Sequence, residues 1–165
     1  MDTLWSNIFK QPKKEEDEII SILKNIPVFR ELGGRDLARV ERILHRRTYK
    51  EGEIIFSQGD PGYGMYIIEK GSVGIVLLPS QCCVATLSEG EFFGELSLLD
   101  ESPRSASAVA YKPCKILGFF QADLFELINH DPRAGVKITL GLARTLGSRL
   151  RHANESLHER QITEI

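Results

Sequence analysis

Residues that commonly bind metal ions are scarce in this sequence and poorly spaced for that task. The three cysteines, Cys82, Cys83 and Cys114, form no C-x-x-C pair, and two adjacent thiols make a poor metal clamp. The four histidines show neither an H-x-H nor an H-E-x-x-H spacing, and none falls between residues 48 and 120. We therefore expect free thiols, surface histidines and no bound metal ion.

Long apolar runs and an excess of basic residues are also missing. No stretch approaches the roughly 20 apolar residues that span a bilayer, and the N-terminus lacks the basic and then apolar pattern of a secretory signal. A net charge of −2 argues against general nucleic-acid binding, which usually requires a strongly basic surface. The sequence therefore predicts a cytoplasmic protein without a membrane span, and its 165 residues are typical of one compact domain.

The periodicity of the apolar residues divides the chain into a tail, 1–14, and one domain, 15–165. Between residues 48 and 120, short β-rich runs alternate with glycine and proline turns, which is typical of a sandwich or a jelly-roll barrel. Helical spacing predicts four flanking helices: Glu15–Lys24, Gly34–Arg46, Ala122–Asn129 and Arg133–Arg160. The predicted fold is therefore α+β, a β jelly roll (double-stranded β-helix) flanked by N-terminal helices and a long C-terminal helix.

One ordered motif, from Gly90 to Ala106, carries recognisable chemistry. It contains G-E-F-F-G-E-L-S-L-L and then P-R-S-A. Gly94 lets the backbone approach an anion closely, and the first N–H groups of the helical turn predicted after it have no partner inside the turn. Arg104 can hold two phosphate oxygens with its planar guanidinium. Glu95 accepts hydrogen bonds and therefore suits a sugar hydroxyl beside that phosphate.

This motif resembles the cyclic nucleotide-binding domain family, in which Gly-Glu, two apolar residues, Gly-Glu and a later arginine with two small residues follow in the same order. Flanking runs at 26–29, 49–56 and 71–73 are also similar, so the likeness extends roughly over residues 19–155. The resemblance implies a protein that is not an enzyme and that binds cAMP or cGMP. The binding residues that it implies are Phe93, Gly94, Glu95, Leu96, Ser97, Arg104, Ser105 and Ala106.

Two further positions bear on which base is bound. Ser105, directly after the arginine, is the residue found in the bacterial activators of the family, and we therefore expect cAMP rather than cGMP. In those activators the long helix presents hydroxyl-bearing residues to the base. The ungapped match places Arg149 and Leu150 there instead, so the resemblance implies that these two residues contact the base.

The C-terminal helix carries a stripe with the spacing of a coiled-coil seam. Its members are Ala143, Gly147, Leu150, Asn154 and Leu157. Two copies could pair along this stripe as a homodimer, or the stripe could pack on the chain's own barrel; two heptads leave both possibilities open. In the family the equivalent helix both dimerises and covers the ligand. Only five residues follow Arg160, so we expect no helix-turn-helix and no effector segment.

The expected function is that of a ligand-operated regulatory module that signals through its C-terminal helix to an unidentified protein effector. One alternative is an interaction or dimerisation module that keeps the fold without binding a nucleotide. The other is a cupin-like metal enzyme, which the lack of histidines on the barrel strands disfavours. Titration with cyclic nucleotides and metal analysis distinguish the three.

Overall fold

The computed structural model describes residues 11–80, 82–100 and 102–163. Trp5, Ile8 and Phe9 of the predicted tail lie outside the described residues. The first helix, α1 (Gln11–Asn25), begins earlier than the predicted Glu15, so residues 11–14 belong to a helix and not to the tail. Pro12 fits in the first turn because an N–H there would have no helical partner.

The N-terminal helices lead directly into the barrel. A single 3₁₀ turn, Pro27–Phe29, connects α1 to α2 (Gly34–Ile43). The prediction that this helix reaches Arg46 is wrong, because Leu44 turns into an extended conformation (φ −73°, ψ 140°) and the following residues join a sheet. The barrel therefore begins at His45 rather than at Thr48.

In the part of the chain that the structure describes, eight strands form two four-stranded antiparallel sheets. They are β1 (His45–Tyr49), β2 (Ile54–Phe56), β3 (Gly64–Lys70), β4 (Ser72–Leu77), β5 (Cys82–Ser88), β6 (Phe92–Phe93), β7 (Ser107–Ala110) and β8 (Cys114–Phe120). One sheet has the order β1-β8-β3-β6 and the other the order β2-β7-β4-β5. Neighbours so distant in sequence are typical of a jelly roll, so the predicted fold is confirmed.

Two apolar clusters hold the layers together. The smaller one lies between the sheets and joins Val73, Ala108 and Ala110 of one sheet to Phe93 and Ile116 of the other. The larger one lies between the first sheet and the helices; its members include Leu23, Phe29, Phe119, Leu124 and Ile138. The helices therefore pack against the first sheet.

Two C-terminal helices complete the domain, α3 (Gln121–His130) and α4 (Pro132–Thr163). They lie within three residues of the predicted bounds. Asp131 starts α4, because its Oδ1 accepts a hydrogen bond from the Ala134 N–H at 3.2 Å and Pro132 occupies the first helical position. Among the described residues, no helix is long and apolar enough to cross a membrane.

Candidate functional site

A cavity of about 570 Å³ lies between the two sheets at the barrel end beside β6. Its walls come from the turn after β6, from the loop before β7, from the inner faces of β4 and β5, and from one residue of α4. Pockets of roughly 300–1,000 Å³ accommodate small-molecule ligands. The cavity therefore has the size of a mononucleotide site.

Gly94 opens this site by turning the chain from β6 into the 3₁₀ turn Glu95–Leu98. It has a left-handed conformation, φ 74°, in which other residues are strained. A Cβ at this position would lie 2.6 Å from a guanidinium nitrogen of Arg104. The helical turn predicted after Gly94 is present, and its first N–H groups have no partner inside the turn.

Arg104 is a buried cation held by neutral groups. The residue is 6% exposed. Its Nη1 donates to the Gly94 carbonyl and to the Ser97 hydroxyl, each at 3.1 Å, and its Nη2 donates to the Gly64 carbonyl at 2.9 Å. Its guanidinium carbon lies 4.2 Å from the ring centroid of Phe56, a cation–π contact. These contacts fix the guanidinium at the wall of the cavity.

One of the three guanidinium nitrogens of Arg104 makes no hydrogen bond among the described residues. Its Nε is buried and has no hydrogen-bond partner among the described residues. Burial lowers the pKa of Arg104 below its ordinary value, and the nearby Tyr66, Asp60 and Glu95 raise it in part. Because arginine stays protonated in proteins, the lowered pKa marks a charge that is incompletely solvated. An anion in the cavity would supply the missing negative charge.

The backbone of Arg104 is also fixed. Its N–H donates to the Asp60 carbonyl at 2.8 Å, and its carbonyl accepts from the Gly59 N–H at 2.9 Å. The two residues that follow, Ser105 and Ala106, line the cavity. The loop therefore presents the guanidinium and two small side chains at the same wall.

Glu95 connects this cavity to the C-terminal helix. It is 4% exposed, and its Oε1 lies 2.5 Å from Nη1 of Arg149 on α4. Arg149 also donates from Nη2 to the Phe92 carbonyl at 3.4 Å, and its guanidinium carbon lies 4.8 Å from the Phe92 ring centroid. A carboxylate has about four lone-pair sites, so Glu95 can accept a ligand hydroxyl while it pairs with Arg149.

The structure brings nine of the ten predicted site residues around one cavity. They are Phe93, Gly94, Glu95, Leu96, Ser97, Arg104, Ser105, Ala106 and Arg149. Leu150 does not line the cavity and is 63% exposed. Of the two residues expected at the base, only Arg149 is therefore in place to contact a ligand in the cavity.

The motif from Gly90 to Ala106 does not include the opposite wall of the cavity. This wall consists of Phe56 on β2, Ile75 on β4, and Ala85 and Leu87 on β5. Ala85 and Leu87 are half-buried between exposed neighbours, and this alternation along the strand could have identified them as inward-facing. Which inward positions border the site depends on strand pairing over long sequence distances, which one sequence does not reveal.

The cavity contains polar groups suited to an anion and a hydroxyl. Within the described part of the chain, no three His, Cys, Asp or Glu side chains cluster closely enough to hold a metal ion. The three cysteines are free thiols, with Cys114 buried and Cys82 and Cys83 exposed. The polar groups at the site are instead Arg104, the Glu95–Arg149 pair and the backbone of the turn after Gly94.

Comparisons with known proteins point to one family. Residues 46–131 match the model of the cyclic nucleotide-binding domain. A cyclic AMP receptor protein of Thermus thermophilus is 37% identical over 138 residues, which cover 82% of this chain and 62% of that protein. A cAMP-dependent protein kinase regulatory subunit of Colletotrichum orbiculare is 32% identical over 113 residues, which cover 68% of this chain and 28% of that protein. The chain thus spans less than two thirds of these relatives.

Solved structures have the same fold. The crystal structure of the Thermus thermophilus catabolite activator protein matches with a TM-score of 0.72 at 37% identity, over 82% of this chain and 63% of that one. The regulatory domain of Toxoplasma gondii PKA, crystallised with cAMP, matches with a TM-score of 0.66 at 26% identity, over 82% of this chain and 51% of that one. The family match, the jelly-roll fold and the ordered motif around Arg104 show that this chain belongs to the cyclic nucleotide-binding domain family.

Proposed function

We propose that the cavity binds a cyclic nucleotide, cAMP in preference to cGMP, and that the domain is a ligand-operated regulatory module rather than an enzyme. The observation that carries this proposal is the buried Arg104 guanidinium, which hydrogen-bonds only neutral groups and lines the cavity beside the turn that Gly94 opens. A cyclic phosphate would accept hydrogen bonds from the Arg104 guanidinium and from the first N–H groups of that turn. Its negative charge would offset the desolvation of the guanidinium.

The sugar and the base would then extend toward α4. Glu95, which is paired with Arg149, would accept a hydrogen bond from a ribose hydroxyl. The base would lie against Ile75 and Leu87, where the Arg149 guanidinium can contact its face as it now contacts the Phe92 ring. Two observations favour cAMP: a hydroxyl at Ser105 beside the phosphate, and the cyclic AMP receptor protein and cAMP-bound regulatory domain among the similar proteins.

The signal would pass through α4. A ligand shifts a conformational equilibrium only by its difference in affinity for the two states. The Glu95–Arg149 pair joins the cavity to α4, and its two residues are 54 positions apart in the sequence. A ligand that contacts Glu95 would therefore have one affinity when α4 is docked and another when α4 is displaced. The exposed stretch of α4 at residues 150–158 would then engage a second copy of the chain or a protein effector.

Titration calorimetry with cAMP and cGMP side by side tests this proposal. We expect saturable binding of one nucleotide per chain, with cAMP the tighter ligand, and weaker binding of cAMP to an Arg149→Ala variant. Tighter binding of cGMP would overturn the base preference. If the folded parent bound neither nucleotide, the chain would be an interaction module that has kept only the fold.

A further inference from the structure

A second cavity, of about 520 Å³, lies on the other side of Phe92 and Arg149. One wall is the segment from Pro27 to Glu31 and the other is the inner part of α4. The two cavities share only Phe92 and Arg149, whose guanidinium lies over the phenyl ring. These two side chains therefore form the partition between the candidate nucleotide site and a separate space.

The second cavity is strongly cationic. Arg30, Lys137, Arg144 and Arg149 line it, whereas Glu31 is its only acidic lining residue. Glu31 pairs with Arg144, and the partner of Arg149 is Glu95 in the other cavity. Within the described residues, Arg30 and Lys137 have no hydrogen bond or ion pair from their side chains. Arg30 and Lys137 thus contribute two positive charges without a counter-charge to the lining of the second cavity.

The walls of this cavity are held in fixed positions. Lys137, Arg144 and Ser148 lie on one face of α4, at helical spacing over about 16 Å of the helix axis. On the same face, a Cβ at Gly141 would lie 2.4 Å from the Val28 carbonyl oxygen, so the backbones of α4 and the 3₁₀ turn touch. Such close contact keeps the two walls together, and a preformed site loses little entropy when it binds a ligand.

We propose that this second cavity binds a small polyanion that carries phosphate or carboxylate groups, and that its occupant weakens nucleotide binding in the first cavity. Arg30 and Lys137 would neutralise the anion, and the Ser148 hydroxyl can donate to it. Arg149 would also be drawn toward the anion and away from Glu95. Glu95 would then lose its counter-charge and position, and linkage requires the nucleotide to weaken anion binding by the same factor.

Direct binding is tested first, without any nucleotide. Inorganic pyrophosphate and citrate are titrated by calorimetry, at constant ionic strength, into an Arg104→Ala background that disables the first cavity. We expect saturable binding, weakened at least tenfold when Arg30→Ala and Lys137→Ala are added. Arg35→Ala with Arg133→Ala, two exposed positions outside the cavity, is the matched control and should retain binding. The proposal is overturned if both double variants lose the same affinity for the probes, or if neither probe binds.

The coupling rests on the proposed nucleotide function and is tested separately. Pyrophosphate at rising concentration should raise the dissociation constant of cAMP for the parent about fivefold or more and then level off. The Arg30→Ala, Lys137→Ala variant should keep the parent's cAMP affinity and lose this effect. An effect without a plateau means direct competition at Arg104 and contradicts the coupling. If the parent does not bind cAMP, the direct titration still shows whether the second cavity binds an anion.

Discussion

Arg104 occupies a buried position without a carboxylate partner, which leaves its charge incompletely compensated. Its three hydrogen bonds go to two carbonyls and one hydroxyl, and its Nε has none. Burying a charge without a counter-charge is costly, and part of that cost returns when an anion arrives. This incomplete compensation supports the proposal that Arg104 binds the phosphate of a ligand.

Replacing Arg104 tests this explanation. Arg104→Ala should weaken cAMP binding by about 2–5 kcal/mol, which is roughly thirtyfold to several thousandfold in the dissociation constant. Arg104→Lys should fall between this variant and the parent, because lysine keeps the charge without the planar fork. Calorimetry measures the affinities, a cooperative thermal transition shows that each variant folds, and Arg133→Ala on the exposed face of α4 is the control. Unchanged cAMP affinity in Arg104→Ala would rule out the phosphate assignment.

Glu95 differs from Arg104 because its proposed partner is a hydroxyl. Glu95→Gln keeps the shape of the side chain but weakens its ability to accept a hydroxyl proton and removes the charge that Arg149 pairs with. We expect this variant to lose more affinity for cAMP than for 2′-deoxy-cAMP, measured by parallel calorimetric titrations. Arg149→Ala, which leaves the carboxylate in place, is the comparison. Equal losses of both ligands in Glu95→Gln would remove Glu95 from the ribose.

At this scale the sequence predicts the residues of the motif but not their partners. Gly94, Glu95 and Arg104 are close in the chain, so an ordered local motif was sufficient to find them. The Glu95–Arg149 pair links positions 54 residues apart and depends on the rotation of α4 against the barrel. Similarly, the hydrogen bond of Arg104 to Gly64 joins β3 to a loop 40 residues away. Packing of distant elements decides such contacts, and no local pattern encodes it.

At the scale of elements, the ends were harder to predict than the elements themselves. The apolar spacing that predicts the second helix continues to Leu44, but pairing of His45–Tyr49 with β8 ends the helix at Ile43. Strand pairing of this kind overrides a helical pattern when the sequence carries no signal that ends the helix. The start of α4 is easier to predict. Asp131 is the N-cap and Pro132 occupies the first helical position, and both signals are visible in the local sequence.

The cap of α4 predicts a pH-dependent stability. The hydrogen bond from the Ala134 N–H, together with the nearby Arg39, lowers the pKa of Asp131 below its ordinary value. When the pKa of a carboxyl group is lower in the folded chain than in the unfolded chain, the group stabilises the fold at pH values above its unfolded pKa. This stabilisation is lost as the pH falls through the folded pKa.

Asp131→Asn keeps a capping oxygen but removes the charge. We expect the parent to melt at a higher temperature than this variant at neutral pH, and the difference to shrink as the pH falls below about 4. Thermal scans of both proteins across that range measure it. An Arg39→Ala variant should show part of the same loss. A difference between parent and Asp131→Asn that stays constant over the whole range would show that the charge of Asp131 is not the cause.

At the scale of the whole molecule, α4 has a continuous solvent-exposed stretch after Arg149. Leu150 and Leu157 are 63% and 59% exposed, and every residue from 150 to 158 is exposed. The alternative that the seam packs on the chain's own barrel is therefore contradicted for Leu150, Asn154 and Leu157. Exposed leucines at coiled-coil spacing favour pairing with a second copy or with another helix, a question that one sequence left open.

A charge placed in the seam tests whether two copies pair there. If the helices pack together, Leu150→Asp would bury two facing carboxylates and the dimer should dissociate. His152→Asp adds the same side chain on the opposite face of the helix, about 200° away, and should leave the dimer intact. Light scattering over a range of protein concentrations measures the mass, and a thermal scan verifies that the barrel of each variant remains folded. A parent that is monomeric at every concentration, with and without cAMP, would exclude the homodimer, and the exposed leucines would then have to engage a different protein.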